Sequence, residues 1–318
     1  MRKDLGFRVG TGLFGLVLIL IVAAIGFELA RQSMLSIQKF GLQFWRTSTW
    51  DPVSGEFGAL PFIWGTMYSS VLALAIATPV AIGIAVFITE LCPMWLRQPL
   101  VFLTELLAAI PSIVYGLWGI FVLVPAVRAF QVALPDSLRE LPIFSGPPLG
   151  VGMLSATLIL AVMVVPFTSS VAREVLKSVP VAQREAAYAL GATRFEAITA
   201  ALFYARTGII GAVMLGFGRA LGETMAVTMV IGNNPQVSTS LFAPQYTMAA
   251  VLANEFTEAA DELYLHALIE IGLVLFIITL IVNGMSRVLI WSMGRSAKAV
   301  PVTSPTQPAA AQALSPSP

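Results

Sequence analysis

Apolar and polar residues are sorted along this chain into six long hydrophobic runs separated by short polar stretches. The first run, residues 9–29, is close to the ~20 residues a helix needs to cross a bilayer. It follows a short basic start with Arg2, Lys3 and Arg8. A secretory leader is the competing reading, but its apolar part is normally ~7–15 residues and ends at a small-residue cleavage site. This run is longer and ends Glu28-Leu-Ala-Arg31, which predicts an uncleaved first helix. Five further spans are expected near 63–90, 99–127, 149–170, 207–231 and 267–291. The second holds Pro79, the third Glu105 and the pair Pro111-Ser112, the fourth Pro166, and the fifth Arg219 and Glu223.

The polar stretches differ in character. Residues 31–62 form an aromatic-containing loop with Trp45, Trp50 and the turn-prone Asp51-Pro52; residues 128–148 form another, ending Ser145-Gly-Pro-Pro148. Residues 232–266 carry no lysine or arginine but four acids, Glu255, Glu258, Asp261 and Glu262, with a short amphipathic helix expected near 249–256. A further polar island, residues 178–204, reads as helix, turn, helix. Pro180 suits a first helical turn, the run AQREAAYAL is rich in helix formers, and Gly191 suits the left-handed residue that ends a helix. Thr193 and Glu196 then have capping-box spacing. From Ala299 onward the chain contains only Ala, Val, Pro, Thr, Ser, Gln and Leu, so a disordered tail is expected over 296–318.

With the N-terminus inside, twelve lysines and arginines fall in inside segments and five in outside ones. That asymmetry predicts a cytoplasmic N-terminus, C-terminus and polar island. The implied organisation is an N-terminal segment and first helix (1–30), an outside loop (31–62), a core of five membrane helices (63–295) containing the 178–204 island, and the tail.

Composition agrees with this pattern. Hydrophobic residues make up 57% and charged residues 11%, with mean hydropathy +0.85, against about 25% charged residues in soluble domains. A net charge of +1 gives no argument for nucleic acid. One cysteine, Cys92, and one histidine, His266, exclude an internal disulfide and a Cys/His metal site. His266 reads as an interfacial residue near a helix start. No Gly-x-x-x-x-Gly-Lys-[Ser/Thr] loop is present, so no ATPase site and no catalytic or metal residue is expected in this chain.

A charge deep in a bilayer is a functional hypothesis by default. Arg219 and Glu223 are four residues apart and would share one helix face. Gly216, Gly218 and Gly222 clear space there, and Gly218-x-x-x-Gly222 fits a close helix contact. One reading is an intrahelical ion pair. The other has Arg219 meeting an oxyanion through its planar fork, with Glu223 holding it when the path is empty; Ser112 and Thr224 are candidates beside it. An ion-coupled secondary transporter using Glu105, Glu223 and Glu270 as proton carriers is a rival, but it leaves the polar island unexplained.

Glu185-Ala186-Ala187, followed after three residues by Gly191, resembles the EAA loop of ABC-importer permeases. The family pattern usually ends Ile-x-Leu-Pro, where this chain has Ala201, Phe203 and Tyr204. Gly218-Arg-Ala-Leu-Gly-Glu-Thr-Met-Ala-Val227, Val230-Ile-Gly-Asn233, Ala108-Ala-Ile-Pro-Ser112 and Val114-Tyr-Gly-Leu-Trp-Gly119 are similar to the PstC family of phosphate-importer permeases. The resemblance implies an all-α integral membrane fold of six transmembrane helices, with a type I importer core and a cytoplasmic coupling helix. It implies a PstA-like second permease, a PstB-like ATPase dimer that binds ATP and Mg, and a PstS-like phosphate-binding protein, with no cofactor in this subunit. The setting would be a bacterial inner membrane, with lipid as surroundings. Sulfate or molybdate is the alternative cargo. Substrate would meet Arg219, Glu223, Ser112 and Thr224, and the ATPase would meet Glu185, Ala186, Ala187 and Gly191.

Overall fold

The structure, a computed structural model, describes residues 2–297, with side chains over 8–292. Most of the expected tail therefore lies outside the described residues. Among the described residues six helical stretches are long and apolar enough to cross a membrane: Arg8–Gln32, Leu60–Leu91, Ser112–Ala133, Met153–Lys177, Arg194–Leu221 and Glu262–Ser292. The chain is a multi-pass membrane protein.

In chain order, α1 (Arg2–Gln32) is followed by the short α2 (Met34–Phe40) and a two-stranded hairpin, β1 (Trp50–Asp51) and β2 (Glu56–Phe57). The strands are antiparallel with Trp50 opposite Phe57. The second span, α3 (Leu60–Val86), ends in a π-helical turn, Phe87–Leu91. Next come α4 (Met94–Ala109), α5 (Ser112–Trp118), a π turn over Gly119–Leu123, α6 (Val124–Ala133) and α7 (Asp136–Arg139). The remaining helices are α8 (Met153–Lys177), α9 (Val181–Ala189), α10 (Arg194–Leu221), α11 (Met225–Val230), α12 (Met248–Glu255) and α13 (Glu262–Ala297).

Two expected spans are not continuous helices. The third breaks at Ile110-Pro111, where Ile110 is extended (ψ 130°). Proline lacks an N–H and disfavours the helical region for the residue before it, so the helix stops and restarts. The fifth runs from Arg194 rather than 207 and ends at Leu221; residues 222–224 are non-helical before α11 begins. Glycine is a poor helix former, and Gly222 takes the C-cap position.

The bundle is built around α8. Ala73, Ala77, Ala81 and Ala85 of α3 recur every four residues and are fully buried, so small side chains let α3 lie close against α8. On α10, a Cβ at Gly216 would come within 2.3 Å of the Thr168 hydroxyl, and one at Gly208 within 2.5 Å of Val175. By contrast, a Cβ at Gly218 would meet only Asn283 Oδ1, at 3.7 Å, and one at Gly222 only the Gly218 carbonyl, at 3.8 Å. The close helix contact expected of Gly218-x-x-x-Gly222 is therefore made by Gly208 and Gly216.

At the end of the bundle away from α9, loops satisfy backbone groups that helix starts leave unpaired. Met153 and Leu154 donate to the carbonyls of Ala243 (3.2 Å) and Leu241 (2.7 Å), and Gly152 to that of Val230 (2.9 Å). The hairpin is anchored by Trp50, which packs edge-on against Phe57 and Phe62 at 4.8 Å each. The Trp50 indole and the Tyr264 hydroxyl donate to one oxygen of Glu255, at 2.9 and 2.7 Å. The helix expected near 249–256 forms as α12, with its first half, Met248 to Val251, buried. His266 stands near the start of α13, where its Nδ1 meets the Gln32 carbonyl.

The glycine contacts make a paired test. A Cβ at Gly65 would lie 2.1 Å from the Tyr246 carbonyl oxygen, whereas one at Gly83 meets nothing within 4 Å. Gly65→Ala is expected to destabilise by about 1–3 kcal/mol through overpacking, seen as a lowered Tm of the detergent-solubilised protein; Gly83→Ala should leave Tm at or slightly above the parent value.

Candidate functional site

The two helix breaks face each other. A Cβ on Gly116 of α5 would meet Met229 and Ala226 of α11, and one on Gly119 would meet Val230. These contacts set α5 and α11 side by side and parallel, a register that carries Ser112 to the level of Glu223 and Thr224. Gly119 also abuts Ile159, and Gly216 abuts Val164 and Thr168, so the breaks lie level with the middle of α8. The structure thus brings Ser112, Arg219, Glu223 and Thr224 to one region.

Each break is patched by a side chain. The Tyr115 hydroxyl donates to the Leu107 carbonyl at 2.8 Å, taking up an acceptor freed at the end of α4. Glu223 Oε1 accepts from the Ala226 N–H at 3.3 Å, capping the start of α11. The Thr224 hydroxyl turns to the Gly222 carbonyl (3.4 Å), and Thr228 donates to the Thr224 carbonyl (2.7 Å).

Arg219 and Glu223 do not share a helix face, because α10 ends between them, and they form no ion pair in this structure. The carboxylate is turned to the α11 cap instead. The Arg219 guanidinium lies over the Phe167 ring, 5.5 Å from its centroid. Its Nε is buried without an acceptor. Arg219 is therefore a partly buried cation, level with the middle of the bundle, with hydrogen-bonding capacity to spare.

The second candidate region is the polar island. Gly191 has φ 83°, the left-handed value expected at the end of α9. Thr193 and Glu196 form the reciprocal capping box at the start of α10. α9 has no buried residue; Glu185 and Ala186 are exposed and Ala187 half-buried. Around them Val181, Tyr188, Leu190 and Phe195 present large apolar side chains to the outside, Leu190 at 90% exposure.

Two ion-paired clusters near this end are not predicted from the sequence, although Glu105 figures there as a proton carrier of the rival reading. Arg184 of α9 pairs with Glu90 at the end of the second span, 2.6 Å apart. Arg173, almost fully buried in α8, pairs with Glu105 (2.9 Å) and Glu174 (3.1 Å), which places Glu105 on α4 against α8. Acids inside or closing apolar runs, with arginines in the polar island, were the available signal. Among the described residues no group of three His, Cys, Asp or Glu side chains could hold a metal ion.

Residues 77–294 match the family described as binding-protein-dependent transport system inner membrane component. Phosphate transport system permease protein PstC of Haemophilus influenzae is 47% identical over 293 residues, covering 90% of this chain and 93% of its own. The protein of that name from Mesorhizobium japonicum is 43% identical, covering 89% of each. A probable PstC from Methanocaldococcus jannaschii is 38% identical, covering 84% of this chain and 87% of its own. Among solved structures, a chain of the inward-facing MetNI methionine ABC transporter superposes with TM-score 0.55 at 14% identity, over 73% of this chain and 94% of that one, which shows a shared fold. With that fold, the family match and relatives 38–47% identical over most of its length, this chain belongs to the binding-protein-dependent transport inner membrane components, on their PstC branch.

Proposed function

We propose that this chain is the permease subunit that forms, with a second PstA-like permease, the path by which inorganic phosphate enters the cytoplasm. ATP, bound with Mg on a PstB-like ATPase dimer, drives the cycle, a PstS-like binding protein delivers phosphate outside, and this subunit holds no cofactor. The observation that carries the reading is Arg219, unpaired and short of an acceptor at the double break. A buried donor without a partner costs about 1–3 kcal/mol, and an oxyanion would supply what is missing. Arginine donates two parallel bonds to such a group and stays charged. Ser112 and Thr224, at the starts of the restarted helices, stand where helix N–H groups favour an anion, and Glu223 opposes overly tight binding. Relatives named for phosphate transport support phosphate as the cargo.

The basic-residue asymmetry supports a cytoplasmic location for the α9 end and both termini, with the chain in a bacterial inner membrane. There Glu185, Ala186, Ala187 and the Gly191 turn form the surface that meets the ATPase, with the exposed apolar residues of α9 and the start of α10 around them.

The anion site is tested by phosphate uptake in vesicles, normalised to assembled complex. Arg219→Met should assemble yet lose about 10- to 100-fold of uptake, in line with the ~1.5–3 kcal/mol of charged hydrogen bonds. Arg219→Lys should also be impaired, since it keeps charge without the fork. Arg219→Met combined with Glu223→Met should remain inactive; full uptake by the double variant would reduce Arg219 to half of an ion pair.

Coupling is tested at the island. Glu185→Lys should insert normally but co-purify less ATPase and lose ATP-dependent uptake. Gly191→Val, forced to φ 83° at a cost of about 1–2 kcal/mol, should act in the same direction. Normal co-purification and uptake in both would remove this loop from the mechanism.

Orientation is tested by thiol labelling after Cys92→Ala. A cysteine replacing Ser54 in the hairpin should react with an impermeant reagent added outside, and one replacing Tyr188 only after the membrane is opened. The reverse pattern would invert the topology.

A further inference from the structure

Arg184 lies in α9, beside Glu185, but its side chain does not join the exposed face. Its Nη2 and Nε donate to Glu90 Oε1 at 2.6 and 3.2 Å. Its Nη1 and Nη2 donate to the carbonyls of Val179 (3.0 Å) and Leu176 (3.1 Å), at and just beyond the end of α8. The two paired side chains are only 20% and 15% exposed. Arg194, the first residue of α10, adds a bond from its Nη2 to the Glu90 carbonyl at 2.5 Å. The end of the second span, the end of α8, α9 and the start of α10 therefore meet at one guanidinium and one glutamate.

The chain itself joins α9 to α8 through residues 178–180 and to α10 through residues 190–193. It gives α9 no direct connection to α3, which is far away in sequence. α3 is nevertheless the helix whose alanine stripe lies on α8 and which also packs on α10, the helix whose last turn carries Arg219. A charged, forked, mostly buried contact is stiff, because both partners hold further bonds that fix their geometry.

We infer that the Arg184–Glu90 pair is the positioning link that carries a displacement of α9 into α3, and through the bundle to the break where Arg219 stands. This rests on the reading of α9 as the helix that meets the ATPase. Neither residue touches the transported anion.

The test uses the whole complex in proteoliposomes: this chain, its second permease, the ATPase dimer and phosphate-loaded binding protein. The readout is phosphate taken up per ATP hydrolysed, per assembled complex. Arg184→Gln and Glu90→Gln are each expected to lower that ratio about tenfold, a usual size for coupling between linked sites, while hydrolysis continues. The double variant should be no worse than the poorer single, since both substitutions cut one link. Arg184→Lys, which keeps one charged bond to Glu90, should fall between parent and Arg184→Gln. An unchanged ratio in the single variants overturns the inference, and so do losses that multiply in the double variant. A variant that assembles poorly but keeps its full ratio per assembled complex also overturns it, because the pair would then only hold the fold. If the unsubstituted complex shows no ATP-dependent phosphate uptake, the functional reading itself fails, a result distinct from any variant effect.

Discussion

A peptide group surrounded by hydrocarbon must find its hydrogen-bond partner within the protein, since no water is there to serve. Two of the irregularities in this molecule answer to that constraint. Six spans meet it by staying helical, and where two of them break, a side chain takes over. The Tyr115 hydroxyl covers the Leu107 carbonyl at one break, and the Glu223 carboxylate covers the Ala226 N–H at the other. The second patch has a consequence for charge. A carboxylate turned to a helix cap does not pair with Arg219, so the geometry that repairs the backbone also leaves that cation without an ion pair.

Outside the breaks, packing depends on what is missing from side chains. The four alanines of α3 and the glycines at 208 and 216 of α10 bring both helices against α8. In a bilayer, where lipid tails offer no hydrophobic penalty to escape, such close approach is the available source of helix association. α1 has little of this. Its apolar residues are largely exposed, and it leans on α13 where Gly26 faces Phe276, so closely that a Cβ there would lie 3.0 Å from the ring.

Much of this was legible in the sequence because it is local. A left-handed Gly191, a capping box at Thr193 and Glu196, and runs long enough to span a bilayer each need only neighbouring residues. The breaks were harder. Pro111 was visible, but hydropathy averages over a run and does not register one interrupted turn. Gly222 to Thr224 read as a continuing face because residues four apart meet only if the helix between them persists. α10 starts earlier than its apolar run because Ala197, Ala201 and Ala205 bury against the bundle, adding a tertiary gain that propensity does not count. The Arg184–Glu90 contact joins residues 94 apart, and no local spacing announces it. Arg219 stands out in the sequence as a charge inside an apolar run, but the pairing with Glu223 that its spacing suggests is not made in this structure.

The unbalanced Arg219 also bears on the electrical work of crossing. In the proposed direction an anion moves toward the negative side of the membrane, at about 2.3 kcal/mol per charge for each 100 mV. A cation fixed level with the middle of α8 returns part of that work on the outer half of the journey. On the inner half its attraction and the membrane field both pull the anion back. Capture can then proceed downhill, and release toward the cytoplasm is the leg that has to be driven.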